Sequence, residues 1–124
     1  MATLQTTNGV EIRFDAQRVT EVASDAGGSG TTISGITEGT VHIAGAPVDF
    51  LNRLGIRAQF AELTRPDNSS VRIRGTAVAW IRAPLRQEYP PDVQAVVNLG
   101  EGAQGVTQLV QETADRLNRA GANL

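Results

Sequence analysis

The chain contains no cysteine and no lysine. The missing cysteine excludes disulfides, thiolate nucleophiles and thiolate metal sites, and it leaves the redox compartment unmarked. The missing lysine removes all lysine-based chemistry, and every cationic side chain apart from the one histidine is an arginine. Aromatic residues make up only 4% of the chain, within a hydrophobic fraction of 40%. Val, Ile, Leu and Ala must therefore supply most of the core. No apolar run approaches the roughly 20 residues a membrane helix needs. The opening Met1-Ala2-Thr3-Leu4-Gln5 has neither a basic nor an apolar leader region. No signal peptide is expected, and the expected location is the cytoplasm or a virion. The formal net charge is −2, whereas a general nucleic-acid coat is normally basic, so bulk charge argues against that role.

What the chain does contain is an internal repeat. Shifted by 59 positions without a gap, Leu4 falls on Leu63, Ile12 on Val71, Arg13 on Arg72, Phe14 on Ile73, Val19 on Val78 and Val22 on Ile81. Asn8-Gly9 falls on Asp67-Asn68. The ends of the halves match at a spacing of 66, where Leu51-Asn52-Arg53-Leu54-Gly55 resembles Leu117-Asn118-Arg119-Ala120-Gly121. The difference is an insertion between Arg82 and Asp92, in a loop marked by Pro84, Pro90 and Pro91.

Each half reads the same way. A hairpin is expected from Thr3–Thr7 and Glu11–Phe14 around Asn8-Gly9, with Thr6 opposite Ile12 and with Leu4 and Phe14 on one face. Its counterpart joins Glu62–Arg65 to Val71–Arg74. Third strands are expected at Arg18–Ala23 and Ala77–Arg82. A flexible Gly27-Gly28-Ser29-Gly30 link leads to a second hairpin, Thr31–Ile36 and Thr40–Ile43, turning at Glu38-Gly39. The counterpart is Gln94–Leu99 and Val106–Gln108. A short helix is expected between Pro47 and Gly55, and a longer one from Leu109 to Arg119 with Val110, Ala114 and Leu117 on one face. Phe14, Val19, Val22, Ile73, Val78 and Ile81 are the expected core. The fold class is therefore α+β: two tandem copies of a small antiparallel β unit, each closed by a C-terminal helix, with the first spanning residues 1–57 and the second 58–124.

A strand, an Asn-Gly turn, the run Val10-Glu11-Ile12-Arg13-Phe14-Asp15-Ala16-Gln17-Arg18-Val19-Thr20-Glu21-Val22, a polar loop, a hairpin and then Val106-Thr107-Gln108-Leu109-Val110-Gln111-Glu112-Thr113-Ala114-Asp115-Arg116-Leu117 together resemble the small FlbD-type domains. These occur in flagellar operons and, in similar form, as short phage and bacterial proteins. The second half lacks the Asn-Gly turn and the first half has the shorter helix. The resemblance implies a non-catalytic accessory or structural role and transfers no site residues.

Gly100, Gly102 and Gly105 have the spacing of a dinucleotide-binding turn, but no strand follows the helix to complete such a unit, so a hairpin turn is expected. His42, the only histidine, has no ligand or triad partner near it in sequence, and a surface or hydrogen-bonded structural role is expected. Asp15, Asp25, Glu38 and Asp49 are scattered and form no calcium loop. No catalytic, cofactor or metal residues are assigned. Arg65, Arg72, Arg74, Arg82 and Arg86 lie in one 22-residue window whose only acid is Asp67. Arg72 and Arg74 share one strand face. Trp80 stands where the first half has Glu21. Either this face is ordinary solvated surface, or Arg72, Arg74, Trp80, Arg82 and Arg86 bind a partner.

The reading that follows is a non-enzymatic assembly or structural protein, such as a phage capsid cement or decoration protein, that associates with itself or with another protein. The alternatives are a regulatory protein-binding module of flagellar type, and a small anion or nucleotide binder using the Arg65–Arg86 window.

Overall fold

Thr6-Thr7-Asn8-Gly9 is where the chain first reverses, and Gly9 sits at φ +87°, a region that a residue without a Cβ enters freely. The Gly9 N–H donates to the Thr6 carbonyl at 3.0 Å, and the Thr6 N–H donates to the Val10 carbonyl at 2.9 Å. The turn joins β1 (Ala2–Gln5) to β2 (Glu11–Phe14). The computed structural model describes residues 2–25, 29–85, 87–100 and 102–124. Within these the chain is mixed α+β, with two helices and antiparallel strands. It divides into two compact units, Met1–Arg57 and Ala58–Leu124.

In the first unit the hairpin register sets Leu4 against Ile12 and Ala2 against Phe14. Thr6 faces Val10, not Ile12, because Thr6 and Val10 close a loop of only three residues, Thr7-Asn8-Gly9. The slip is by two residues, so the facing set is unchanged and Leu4 and Phe14 are both buried. Asp15 caps a 3-10 turn, Ala16–Arg18, by accepting from the Gln17 N–H at 2.9 Å. That turn delays the third strand, which begins at Glu21 rather than Arg18. β3 (Glu21–Ser24), β4 (Gly30–Ser34) and β5 (Val41–Ala44) form an antiparallel meander. Gly27 and Gly28 of the expected link lie outside the described residues. Helix α1 (Pro47–Leu54) starts with proline in its first turn and stops at Gly55, φ +70°. There the Gly55 N–H donates to the Asn52 carbonyl and the Ile56 N–H to the Leu51 carbonyl. Val19, Val22, Ile33 and Leu51 are fully buried.

The second unit repeats these bonds at the same spacings. β6 (Phe60–Thr64) and β7 (Ser70–Arg74) pair around a turn in which the Asn68 N–H donates to the Arg65 carbonyl and the Arg65 N–H to the Ser69 carbonyl. Each atom pair lies 59 positions after its counterpart at Thr6, Gly9 and Val10. Asn68 takes the left-handed role of Gly9 at φ +71°. A 3-10 turn, Gly75–Ala77, again precedes the third strand. β8 (Trp80–Arg82), β9 (Ala95–Asn98) and β10 (Ala103–Val106) form an antiparallel ladder in the order β10-β9-β8. α2 (Val110–Arg119) ends with the Gly121 N–H on the Asn118 carbonyl and the Ala122 N–H on the Leu117 carbonyl. These are the α1 stop bonds 66 positions on. Thr113 and Leu117 are the buried members of its apolar stripe, with Val110 and Ala114 half-buried beside them.

The structure departs from two expectations here, the burial of Val78 and Ile81 and the start of the last strand. Val78 and Ile81 are only half-buried, whereas Phe14, Val19, Val22 and Ile73 are buried. Val78 closes a 3-10 turn, and Ile81 lies on a strand that pairs within its ladder on one side only. Ile12 is half-buried where its counterpart Val71 is fully buried. β10 begins at Ala103 instead of Val106, because the turn before it is tight. In that turn the Leu99 N–H donates to the Gly102 carbonyl at 3.1 Å, and the Gly100 N–H donates to the Asn98 side chain at 2.7 Å.

Candidate functional site

Arg72 and Arg74 lie on the β6–β7 hairpin and Arg82 on β8, in two different ladders. On the β6–β7 hairpin, Arg72 faces Glu62 and Arg74 faces Phe60. Arg72 and Arg74 do share a face, as the two-residue period requires. The face is not free cationic surface. Arg72 donates to Glu62 at 2.7 Å. Arg74 is buried, donates to Gln59 and lies 4.7 Å from the centre of the Phe60 ring. A guanidinium tolerates this burial because an aromatic face and an amide oxygen replace its water. The Arg74 side chain is thus buried against Gln59 and the Phe60 ring, whereas Arg72 is paired at the surface.

On β8 the arrangement is different. Trp80 keeps 41% of its surface exposed, and Leu85 just after it keeps 62%. The Arg82 guanidinium lies 5.5 Å from the Trp80 ring centre and donates to Glu88 at 2.7 Å and to the Ala83 carbonyl at 3.0 Å. The tryptophan is thus held at the surface with one face covered by a fixed arginine. Arg86 lies outside the described residues. The partners of Arg72 and Arg82 are Glu62 and Glu88, which sit just beyond either end of the acid-poor window.

The glycines of the Gly100-Gly102-Gly105 spacing fall on the β9–β10 connection, with Gly100 at φ +91° in the turn and Gly105 inside β10. Gly105 is packed against Tyr89 and Val93, each within 3.2 Å of where a Cβ would stand. The strands it connects are antiparallel, so this is a hairpin and not a strand-to-helix phosphate turn.

One cluster was not legible from residue spacing. Asp25 follows β3, Thr32 lies on β4 and His42 on β5, directly opposite Thr32. The Thr32 hydroxyl donates to Asp25 Oδ1, and His42 Nδ1 lies 3.2 Å from both Asp25 Oδ1 and Thr32 Oγ1. The signal that finds it is register: a meander brings residues on three successive strands together whatever their sequence distance. In a hydrolytic triad the hydroxyl and the carboxylate meet opposite ring nitrogens of the histidine. Here both meet Nδ1, so the geometry is that of a brace between β5 and the end of β3. The expected structural role for His42 fits this arrangement. Beside His42 an open groove of 560 Å³ runs between the β1–β2 turn and the β4–β5 turn, with Thr6, Asn8 and Thr37 as polar lining and Val10, Ile12 and Val41 as apolar lining.

The Thr32 hydroxyl, and then His42, hold the Asp25 carboxyl below its ordinary value, against the opposing effect of burial. A carboxylate whose pKa is lowered on folding contributes stability above its unfolded value of about 3.9, and that contribution is lost as pH falls through the folded value. Asp67, held down by Ser69, titrates in the same direction. Asp25→Asn should therefore flatten, without abolishing, the fall in urea midpoint on acidification below about pH 4. Parallel midpoint curves for the two proteins would remove Asp25 from the account.

No family model, no curated protein and no solved structure matches the chain.

Proposed function

We propose that this is a non-enzymatic assembly or structural protein made of two tandem copies of one small β unit, each closed by its C-terminal helix, and that it makes its contacts through the β8 surface. The observation that carries the reading is Trp80, exposed on an edge strand with Arg82 over its ring and Leu85 exposed nearby. Tryptophan and arginine are the residues that most often dominate the energy of protein contacts. Keeping a large apolar ring at the surface has a cost that a partner removes. The tandem reading is supported by the hairpin-turn bonds that recur at a spacing of 59 and the helix-stop bonds that recur at 66.

Size-exclusion chromatography with light scattering tests the contact surface. The protein is expected to associate at low micromolar concentration, and Trp80→Ala to weaken that association by about tenfold or more, the loss typical of a central aromatic anchor. A protein that stays monomeric at high micromolar concentration, with or without Trp80, overturns the reading. The resemblance to FlbD-type domains, which extends to phage proteins, favours a capsid cement or decoration role within it. Copurification with assembled particles tests that form. An anion binding at Arg72 or Arg82 would first have to displace Glu62 or Glu88.

A further inference from the structure

We infer that the partner is a second copy of this chain, joined edge to edge through β8 in an antiparallel pair centred on Ile81. The inference rests on the assembly reading above and adds the occupant and the register.

The backbone alternation shows which groups β8 offers. In the β9–β10 hairpin the Leu99 N–H bonds the Gly102 carbonyl. Hydrogen-bonded pairs alternate along an antiparallel ladder, so Val97 with Gln104 is the next such pair. Asn98 and Val96 then turn their backbone groups toward β8, where they face Trp80 and Arg82. The bond from the Ala79 N–H to the Asn98 carbonyl, at 2.8 Å, agrees. Ile81, between them, points its N–H and C=O away from β9.

An antiparallel partner strand meeting those two groups through a two-fold axis would place Ile81 opposite Ile81 of the second copy. The pair would exchange both hydrogen bonds. The same axis sets Trp80 opposite Arg82 of the second copy, and Arg82 opposite Trp80 of the second copy. These fall at the narrower, non-hydrogen-bonded spacing, about 4.5 Å between Cα atoms, where side chains touch. Trp80 and Arg82 already stack within one chain at 5.5 Å, so the cross-strand pairs repeat a contact that this sequence makes. The edge is self-complementary in backbone and in side chains, as a two-fold interface must be. β8 contains no proline or lysine, and its one charged residue, Arg82, lies over the Trp80 ring. Pro84, just beyond, limits the ladder to a few residues.

Ile81→Cys tests the register, because the chain has no cysteine and any disulfide must join two chains. Residues directly opposite in a hydrogen-bonded pair lie about 5.5 Å apart at Cα, within the range a disulfide spans. Under mild oxidation Ile81→Cys is expected to form a reducible covalent dimer at least tenfold faster than Ala103→Cys, an exposed position on the opposite edge of the same ladder. In light scattering, Arg82→Glu is expected to weaken association at least tenfold and Arg82→Lys to restore most of it. Association by light scattering with no Ile81→Cys cross-link above the control overturns the register and leaves the assembly reading standing. A monomer at high micromolar concentration that does not cross-link overturns both.

Discussion

Replacing Ile73 with aspartate is expected to lower the thermal midpoint by about 10 °C or more, or to leave the second unit unfolded. Ile73 is fully buried on β7, directly opposite the buried Ala61. Val71 on the same strand and Leu63 on the neighbouring one are fully buried as well. A carboxylate there would stand fully buried on a core position, and an unpaired buried charge costs about 3 kcal/mol or more. Val78→Asp is the informative control. It makes the same chemical change at a half-buried position where the carboxylate keeps part of its hydration, and its cost is expected to be under half as large. Equal losses at the two positions, measured by thermal or urea unfolding, would mean that burial is not what separates them.

Gly35→Ala is the second large effect expected. Gly35 follows β4 at φ +103°, and a Cβ there would stand 2.3 Å from the Arg18 carbonyl oxygen and 2.9 Å from the Thr20 hydroxyl. The neighbouring Ser34 carbonyl accepts from both the backbone N–H and the hydroxyl of Thr20, at 3.0 and 3.2 Å. The added methyl thus meets backbone that two hydrogen bonds hold in place. Left-handed strain costs about 1–3 kcal/mol and forced overpacking about as much again. A loss of roughly 3 kcal/mol in urea unfolding is expected on those two terms. Gly39→Ala, where nothing lies within 4 Å and φ is not positive, should change stability by only a few tenths of a kcal/mol. A neutral Gly35→Ala would show that the Arg18–Thr20 segment gives way easily.

What could be read from the sequence was what local chemistry determines. Asn8-Gly9 and Asp67-Asn68 mark turns because their backbones tolerate positive φ, and Gly55 and Gly121 end helices for the same reason. The 59-residue match carried over to the turn bonds themselves. What was not legible depends on register and on third dimensions. Asp25 and His42 are brought together by two strand reversals, and no periodicity in the sequence marks which residues those reversals align. Arg74 reads as a surface residue because it alternates with Val71 and Ile73, yet the cross-strand position of Phe60 gives it an aromatic seat. Val78 and Ile81 read as core because they match Val19 and Val22. The strand that carries Ile81 is shorter and has a ladder neighbour on one side only, so the same residue type is less covered.

The bonds between β6 and the approach to α2 join segments that are synthesised far apart. The β6–β7 hairpin closes through contacts only a few residues apart, so it can form as soon as Arg74 has been synthesised. Its outer side is completed much later. The Thr107 N–H bonds the Thr64 carbonyl, and the Gln108 side chain accepts from the Thr64 N–H and donates to its hydroxyl across 44 residues. Arg116 donates to the Glu62 carbonyl across 54. Until those last residues leave the ribosome, the Glu62 and Thr64 carbonyls of β6 lack these partners. A nascent chain stalled before Gln108 therefore exposes a pairing edge to its neighbours, and the final helix acts as the element that ends this vulnerable interval.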